Sequence, residues 1–239
     1  MKTKNILEIG CGQGFNTYLL SKNENNKVVG VDLSDQNIKI ANKRYKGVNF
    51  LVMDVSKLNF ENEYFDSVYA MDILEHVDDL NSVLRECCRV LKQGGKFIIN
   101  VPAEKSEAWL LKIRPTYFQE IHYVRIFNDK RNELENILQK FNFEVVKKIP
   151  RDFLHHIELY WLFTRKKKSS TQLGIGNWRD TKINMLIHIG LLFFDNDVFI
   201  TPLKYIPIWI ITLPIGTFIN FFGNRVFPKS FYYEFVKIN

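Results

Sequence analysis

The chain has 239 residues and a formal charge of +7, from 33 basic and 26 acidic side chains. That length can bury a full core in one domain, and the basic excess suits an anionic substrate, a nucleic acid or an anionic membrane surface. No zinc-finger spacing or arginine-rich arm is present, so nucleic acid is not expected, and the three cysteines, Cys11, Cys87 and Cys88, make no even disulfide framework, which suits a reducing cytoplasm.

The first predicted element is a strand, Asn5-Ile6-Leu7-Glu8-Ile9. It runs into Gly10-Cys11-Gly12-Gln13-Gly14, and a helical pattern follows from Phe15 to Leu20. Strand, glycine turn and helix in that order make a cofactor cradle. The backbone must turn sharply and let a ligand approach without a Cβ in the way, and the helix start offers free N–H groups. A dinucleotide loop wants Gly-x-Gly-x-x-Gly, but Phe15 stands where its third glycine would be. The spacing here is Glu-x-Gly-x-Gly-x-Gly. An acid ahead of the loop, Glu8, suits a ligand with an ammonium group and no pyrophosphate. This favours S-adenosylmethionine over a dinucleotide or a bare structural loop.

The second strand, Lys27–Asp32, ends in an acid near the spacing of about 20 residues typical of a ribose-binding carboxylate. Asp32 is therefore expected to accept bonds from both ribose hydroxyls, with Leu33 beside it in the cofactor site. Capping the next helix is the alternative for Asp32, but Ser34 already suits that role. A third strand over 48–53 ends at Asp54, which either bonds an adenine amino group or caps the following turn, with Val55 next to it.

A longer block follows: Phe65-Asp66-Ser67-Val68-Tyr69-Ala70-Met71-Asp72-Ile73-Leu74-Glu75-His76-Val77-Asp78-Asp79, then Leu84–Leu91 and Lys92-Gln93-Gly94-Gly95-Lys96-Phe97. With the glycine loop, Asp32 and Asp54, these residues resemble the class I S-adenosylmethionine-dependent methyltransferases. The branch most resembled holds the ubiquinone-type O-methyltransferases, and the resemblance covers residues 4–165. It implies an α/β, Rossmann-like fold: a seven-stranded, mostly parallel sheet with one antiparallel strand and helices on both faces. Alternating strand and helix patterns support α/β layers independently. The helix over 79–91 carries Leu80, Val83, Leu84, Cys87, Cys88 and Leu91 on one face and stops at Gly94-Gly95. Residues 96–101 read as strand five, 128–140 as a helix, and 143–149 with 158–164 as the closing strand pair. The resemblance also implies the cofactor residues: Glu8, Gly10, Cys11, Gly12, Gly14, Asp32, Leu33, Asp54, Val55 and Met71. Relatives usually carry one or two helices before the first strand that help close the pocket. Here that strand begins close to Met1 with no signal peptide ahead of it, so cover from elsewhere is expected.

Methyl transfer from a sulfonium is an in-line displacement that depends mainly on positioning, and an oxygen acceptor must also lose a proton. His76, after strand four, and His122, in the Glu120–Phe127 segment, are the candidate bases. Each has a structural alternative: His76 anchoring its loop, His122 holding the Arg125 segment. Glu75 and Asp79 match in type the acids some quinone-type relatives use for a divalent metal. One turn of carboxylates is too little to assign one, and no metal is expected.

After Arg165-Lys166-Lys167-Lys168 the composition turns apolar and aromatic. Residues 205–224 carry no charged side chain, but Pro207, Pro214 and Gly216 interrupt them. The expected division is a methyltransferase domain over 1–168 and a hydrophobic C-terminal extension over 169–239. That extension is either a lid, a membrane-surface segment or a span. The expected partners are a small-molecule or lipid-linked acceptor and an anionic membrane surface met through 165–225, giving a cytoplasmic protein peripheral at the membrane. A degenerate cofactor-binding protein with a structural role is the alternative from another class, and the intact Glu8, glycines and Asp32 argue against it.

Overall fold

The computed structural model describes residues 3–113, 115–116, 124–151 and 222–238. In chain order the elements are β1 (Lys4–Ile9), α1 (Phe15–Ser21), β2 (Asn26–Asp32), α2 (Asp35–Arg44), β3 (Asn49–Val52), β4 (Phe65–Met71), α3 (Leu80–Val90), β5 (Leu91–Pro102), α4 (Glu104–Ile113), a 3-10 turn (Asp129–Arg131), α5 (Glu133–Gln139), β6 (Phe143–Arg151) and β7 (Ser230–Lys237). The seven strands form one sheet in the order β3-β2-β1-β4-β5-β7-β6. The pairings β2–β3, β1–β2, β1–β4 and β4–β5 are parallel.

The central strands are buried on both faces, as a parallel sheet between helices requires. Register lines up Val31, Ile9, Ala70 and Ile99 in one row across four strands. All four are buried. The helix expected over 79–91 is present as α3. Asp79 caps it by accepting the Ser82 N–H at 3.0 Å, and Leu80, Val83, Leu84 and Cys87 are buried as the periodicity predicts.

Two expectations are corrected. The region 128–140 is not one helix. Asn128 caps a 3-10 turn, Asn132 takes a left-handed φ of 49°, and α5 starts after it. A non-glycine residue in that conformation ends one helical segment before another begins, and Asn tolerates it best. The second correction concerns the closing strand. Residues 158–164 lie outside the described residues, and the strand between β5 and β6 is Ser230–Lys237.

β7 runs antiparallel to both neighbours. Ile238 N–H bonds the Asn142 carbonyl at 2.8 Å near one end, and Lys229 N–H bonds the Arg151 carbonyl at 2.9 Å near the other. On the β5 side Lys96 pairs with Glu234, while the Lys237 Nζ donates to the Leu91 carbonyl at 2.8 Å. Tyr233 and Phe235 are fully buried. A boundary at 168/169 would leave this strand outside the domain whose sheet it completes.

The chain clusters into two compact units. One comprises Met1–Val101, Phe127–Ile149 and Tyr232–Asn239; the other comprises Pro102–Ile126 and Pro150–Phe231. In the second unit α4 buries Leu110 and Glu107, and the Lys229 Nζ lies 3.8 Å from the Glu107 carboxylate.

If β7 is part of the core, Phe235→Ala should lower unfolding stability by about 3–5 kcal/mol. Urea denaturation of the full chain measures this, and a loss well under about 1 kcal/mol would show that the strand contributes little packing.

Candidate cofactor site

The site is built at the carboxyl edge of the first unit's sheet. Strands β2 and β3 extend to one side of β1, and β4 lies on the other, so the chain reverses its direction of growth between β1 and β4. Open α/β sheets bind ligands at such a switch point. The loop after β1 lies there.

Gly10, Gly12 and Gly14 all have positive φ, at 65°, 52° and 84°. Two of them are also required by packing. A Cβ on Gly10 would lie 2.5 Å from the Ile73 side chain, and one on Gly14 would lie 2.5 Å from the Phe50 ring. Gly12 differs, because a Cβ there would meet nothing within 4 Å. Its surroundings are open, as the floor of a cradle must be. Cys11 is buried with Ile38, Ala41 and Phe50, and its N–H bonds the Val31 carbonyl at 2.9 Å. It belongs to the packing beneath the loop, and burial raises its thiol pKa far above the ordinary value.

Asp32 ends β2 and faces the loop. Its carboxylate accepts the Gly12 N–H at 2.8 Å, the Ser34 N–H at 2.9 Å and the Asn37 side-chain amide at 3.3 Å. Ser34 caps α2 as expected, accepting the Asn37 N–H at 3.2 Å. Leu33, just beyond, is 73% exposed, an apolar side chain presented at a strand end. Asp54 is exposed and caps the turn after β3, accepting from the Ser56 N–H at 2.8 Å and the Ser56 hydroxyl at 2.7 Å. Those bonds hold its pKa below the ordinary carboxylate value. Val55 follows in the same turn. Met71 is the last residue of β4, paired with Asn100 of β5.

Glu8 is placed differently from the sequence reading. It is 1% exposed, and its carboxylate accepts a short hydrogen bond from the Thr17 hydroxyl of α1. The neighbouring Gly30 makes room for this contact, since a Cβ there would lie 2.6 Å from the Thr17 oxygen. The expectation that Glu8 meets a ligand's ammonium group is corrected: the acid seats α1 on the sheet. Burial raises its pKa to about 7, against the opposing effect of the Thr17 bond.

His76 follows β4, with its N–H bonded to the Ile73 carbonyl at 2.9 Å. Its Nε2 is 3.9 Å from the Glu75 carboxylate, too far for a hydrogen bond, and the imidazole is partly exposed. His122 lies outside the described residues. Among the described residues no group of three or more His, Cys, Asp or Glu side chains could hold a metal ion. Three residues escaped the sequence reading: Thr17, Asp72 and Asn100. Asp72 carried a signal like that of Asp32 and Asp54, an acid at or just past a strand end.

This geometry is accompanied by clear similarities. Residues 7–99 match the family described as a methyltransferase domain. Residues 7–99 thus resemble a methyltransferase domain. It is 30% identical over 117 residues to a ubiquinone biosynthesis O-methyltransferase of Coxiella burnetii, covering 47% of this chain and 50% of the relative. It is 38% identical over 102 residues to the human mitochondrial ubiquinone biosynthesis O-methyltransferase, covering 39% of this chain and 27% of that one. The chain thus spans about half the length, or less, of these curated relatives. Among solved structures, a SAM-dependent methyltransferase of Thermotoga maritima, described as a possible histamine N-methyltransferase, is 29% identical. It aligns with a TM-score of 0.55 over 66% of this chain and 72% of its own. Methyltransferases of this family use S-adenosylmethionine. The cradle described above fits that cofactor: an open floor at Gly12, a carboxylate at the end of β2 and an exposed apolar side chain at Leu33.

The buried Glu8 has a consequence for stability. Between its ordinary pKa of 4.5 and the folded value of about 7, the folded chain holds a proton that the unfolded chain lacks. Its contribution therefore falls as pH rises through that window and is level above it. Glu8→Gln should flatten this decline. Urea unfolding of both proteins at a pH near each end of the window measures it, and equal losses in the two would contradict the assignment.

Proposed function

We propose that the chain is an S-adenosylmethionine-dependent methyltransferase that methylates a small-molecule or lipid-linked acceptor at oxygen. The observation that carries this reading is the open glycine loop tied by the Gly12 N–H to the Asp32 carboxylate. The curated relatives, ubiquinone biosynthesis O-methyltransferases, support the choice of oxygen.

When bound, the cofactor supplies an electrophilic methyl group on a sulfonium. The chain's own residues then have three tasks. Asp32 holds the ribose hydroxyls while keeping the loop in shape. Leu33, Asp54, Val55 and Met71 border the adenine. His76 takes the acceptor proton, with His122 as the second candidate. Little covalent help is required, so holding donor and acceptor in line is the main contribution.

Attachment to an anionic membrane surface through 165–225 belongs to the same proposal and is supported by the lysine run and the apolar, aromatic composition. Among the described residues no helix is long and apolar enough to cross a membrane.

Titration calorimetry should show binding of S-adenosylmethionine and its demethylated product and none of NAD. Asp32→Ala should weaken that binding by about 1.5–3 kcal/mol, the scale of hydrogen bonds to a charged group; unchanged affinity would remove the ribose role. The acceptor can be sought by mass spectrometry of lipid and soluble extracts from a deletion strain, as species lighter by one methylene. With that acceptor, His76→Ala should lower turnover by roughly 10²–10⁴ while cofactor affinity holds, and full activity would leave the proton to another group. On vesicles containing anionic lipid, the protein should co-float at low salt and be released as salt rises; absence from the floating fraction at low salt would end the membrane proposal.

A further inference from the structure

The face of the sheet that holds Glu8 also carries a cavity of about 350 Å³, built within the first unit. Lys4 and Asn26, which open β1 and β2, both line it. It therefore lies at the amino edge of the parallel strands, whereas the glycine loop leaves their carboxyl edge. Register sets its floor. Ile6, Ser67 and Lys96 form one row across β1, β4 and β5, and Glu8, Tyr69 and Ile98 form the next row on the same face. Ile6 and Ile98 are buried, and the rings of Tyr69 and Tyr232 line the cavity beside them.

Three donors in this cavity have no acceptor among the described residues. The Ser67 hydroxyl is the first, on a residue only 9% exposed and set between Ile6 and Lys96. Buried hydroxyls are satisfied as a rule, so this one calls for a partner from outside the chain. The Tyr69 hydroxyl is the second. Burial raises its pKa, with Tyr232 and Glu234 adding to the effect, so it keeps its proton at neutral pH. The third is the Lys4 ammonium. The Lys4 backbone N–H bonds the Asn25 carbonyl at 2.8 Å, which holds the start of β1 in place while the side chain pairs with no acid among the described residues. The other charged side chains of the lining, Lys96 and Glu234, neutralise each other. One positive charge is left over.

We propose that this cavity is a binding site for a small aromatic monocarboxylate, separate from the cofactor cradle. A carboxylate is acceptor-only and has lone pairs enough for all three donors. It takes the charge of Lys4 and the hydroxyls of Ser67 and Tyr69. The ring lies on Ile6 and Ile98 beside the two tyrosines, in keeping with ligand pockets that join an apolar floor to a few fixed polar groups. Glu234 limits the charge of the guest. A phosphate dianion would meet that carboxylate with only Lys96 to offset it, whereas a monoanion matches the single surplus charge. The assignment does not depend on the cofactor reading above.

The test titrates the isotope-labelled full chain and follows its amide NMR shifts, with four probes. Benzoate carries ring and charge, benzamide the ring alone, acetate the charge alone, and phenyl phosphate a second negative charge. Benzoate should give saturating shifts at Ile6, Ser67 and Ile98, with the other three at least about tenfold weaker. Lys4→Gln, a change at an exposed side chain, should weaken benzoate about tenfold and leave benzamide within about twofold. Ser67→Ala and Tyr69→Phe should each weaken benzoate severalfold. Lys57→Gln removes an exposed charge outside the cavity and should leave benzoate unchanged. Shifts that fail to saturate, any other probe binding as tightly as benzoate, or equal losses in Lys4→Gln and Lys57→Gln would overturn the proposal. S-Adenosylhomocysteine should not displace benzoate, and displacement would put benzoate in the cradle and overturn the proposal too. Failure of S-adenosylhomocysteine itself to bind would remove the cofactor reading and leave this site standing.

Discussion

The Asp32 carboxylate is the point on which the cradle depends. One oxygen accepts the Gly12 N–H and the other the Ser34 N–H, so a single side chain joins the loop after β1 to the turn that starts α2. Its backbone carbonyl also accepts the Met53 N–H at 3.0 Å, which brings in the chain just past β3. Three successive strand ends are thereby held to one residue. The bond matters most at Gly12. Gly10 and Gly14 are fixed by close packing on Ile73 and Phe50, but Gly12 has no neighbour within Cβ reach. Its conformation is held by hydrogen bonding. That is what a ligand floor requires: packed loops have no room for a guest, and unheld loops have no shape.

Much of this architecture was legible in the sequence. Parallel strands buried on both faces read as apolar runs, and the glycines and strand-end acids punctuate them at the switch point. The α3 stripe and its start follow from helical periodicity, but its end does not: the helix stops at Val90, and Gly94-Gly95, read as its stop signal, lie inside β5 (Leu91–Pro102). Other features could not be read locally. Residues 158–164 and 230–237 are both aromatic, apolar runs, and nothing within either states which one reaches β5. What distinguishes Ser230–Lys237 is long-range. Lys237 meets the Leu91 carbonyl and Glu234 meets Lys96, across more than a hundred residues of chain. Likewise, the pattern over 128–140 carries a helical stripe with Leu134 and Leu138 buried, yet Asn132 interrupts it with a backbone turn that apolar periodicity does not record.

Glu8 illustrates a subtler limit. Its position ahead of the glycine loop identifies the motif correctly, but a motif gives residue type and order, not depth. Depth is set by Gly30 and Thr17. Without a side chain on Gly30, the Thr17 hydroxyl descends onto the sheet and meets the carboxyl group there. The acid becomes the seat of α1, and α1 follows directly on Gly14. The loop is thus located twice, from below by Glu8 and Thr17 and from the side by Asp32.

This division has an electrostatic result. A cofactor bearing a sulfonium and an ammonium group is drawn by negative potential at the mouth of the site rather than beneath it. A fully charged carboxylate buried under the loop would be costly to desolvate, and burial accordingly favours the protonated form of Glu8. Asp32 is such an anionic group at the edge of the loop. It is only partly desolvated, and it is oriented by donors from within the protein: Gly12, Ser34 and Asn37. Fixing carboxylates with neighbouring amides keeps them in place before the ligand arrives, so less ordering is left to occur on binding. The same strand-end geometry that makes the fold a parallel sheet therefore also sets the charge pattern that its cofactor meets.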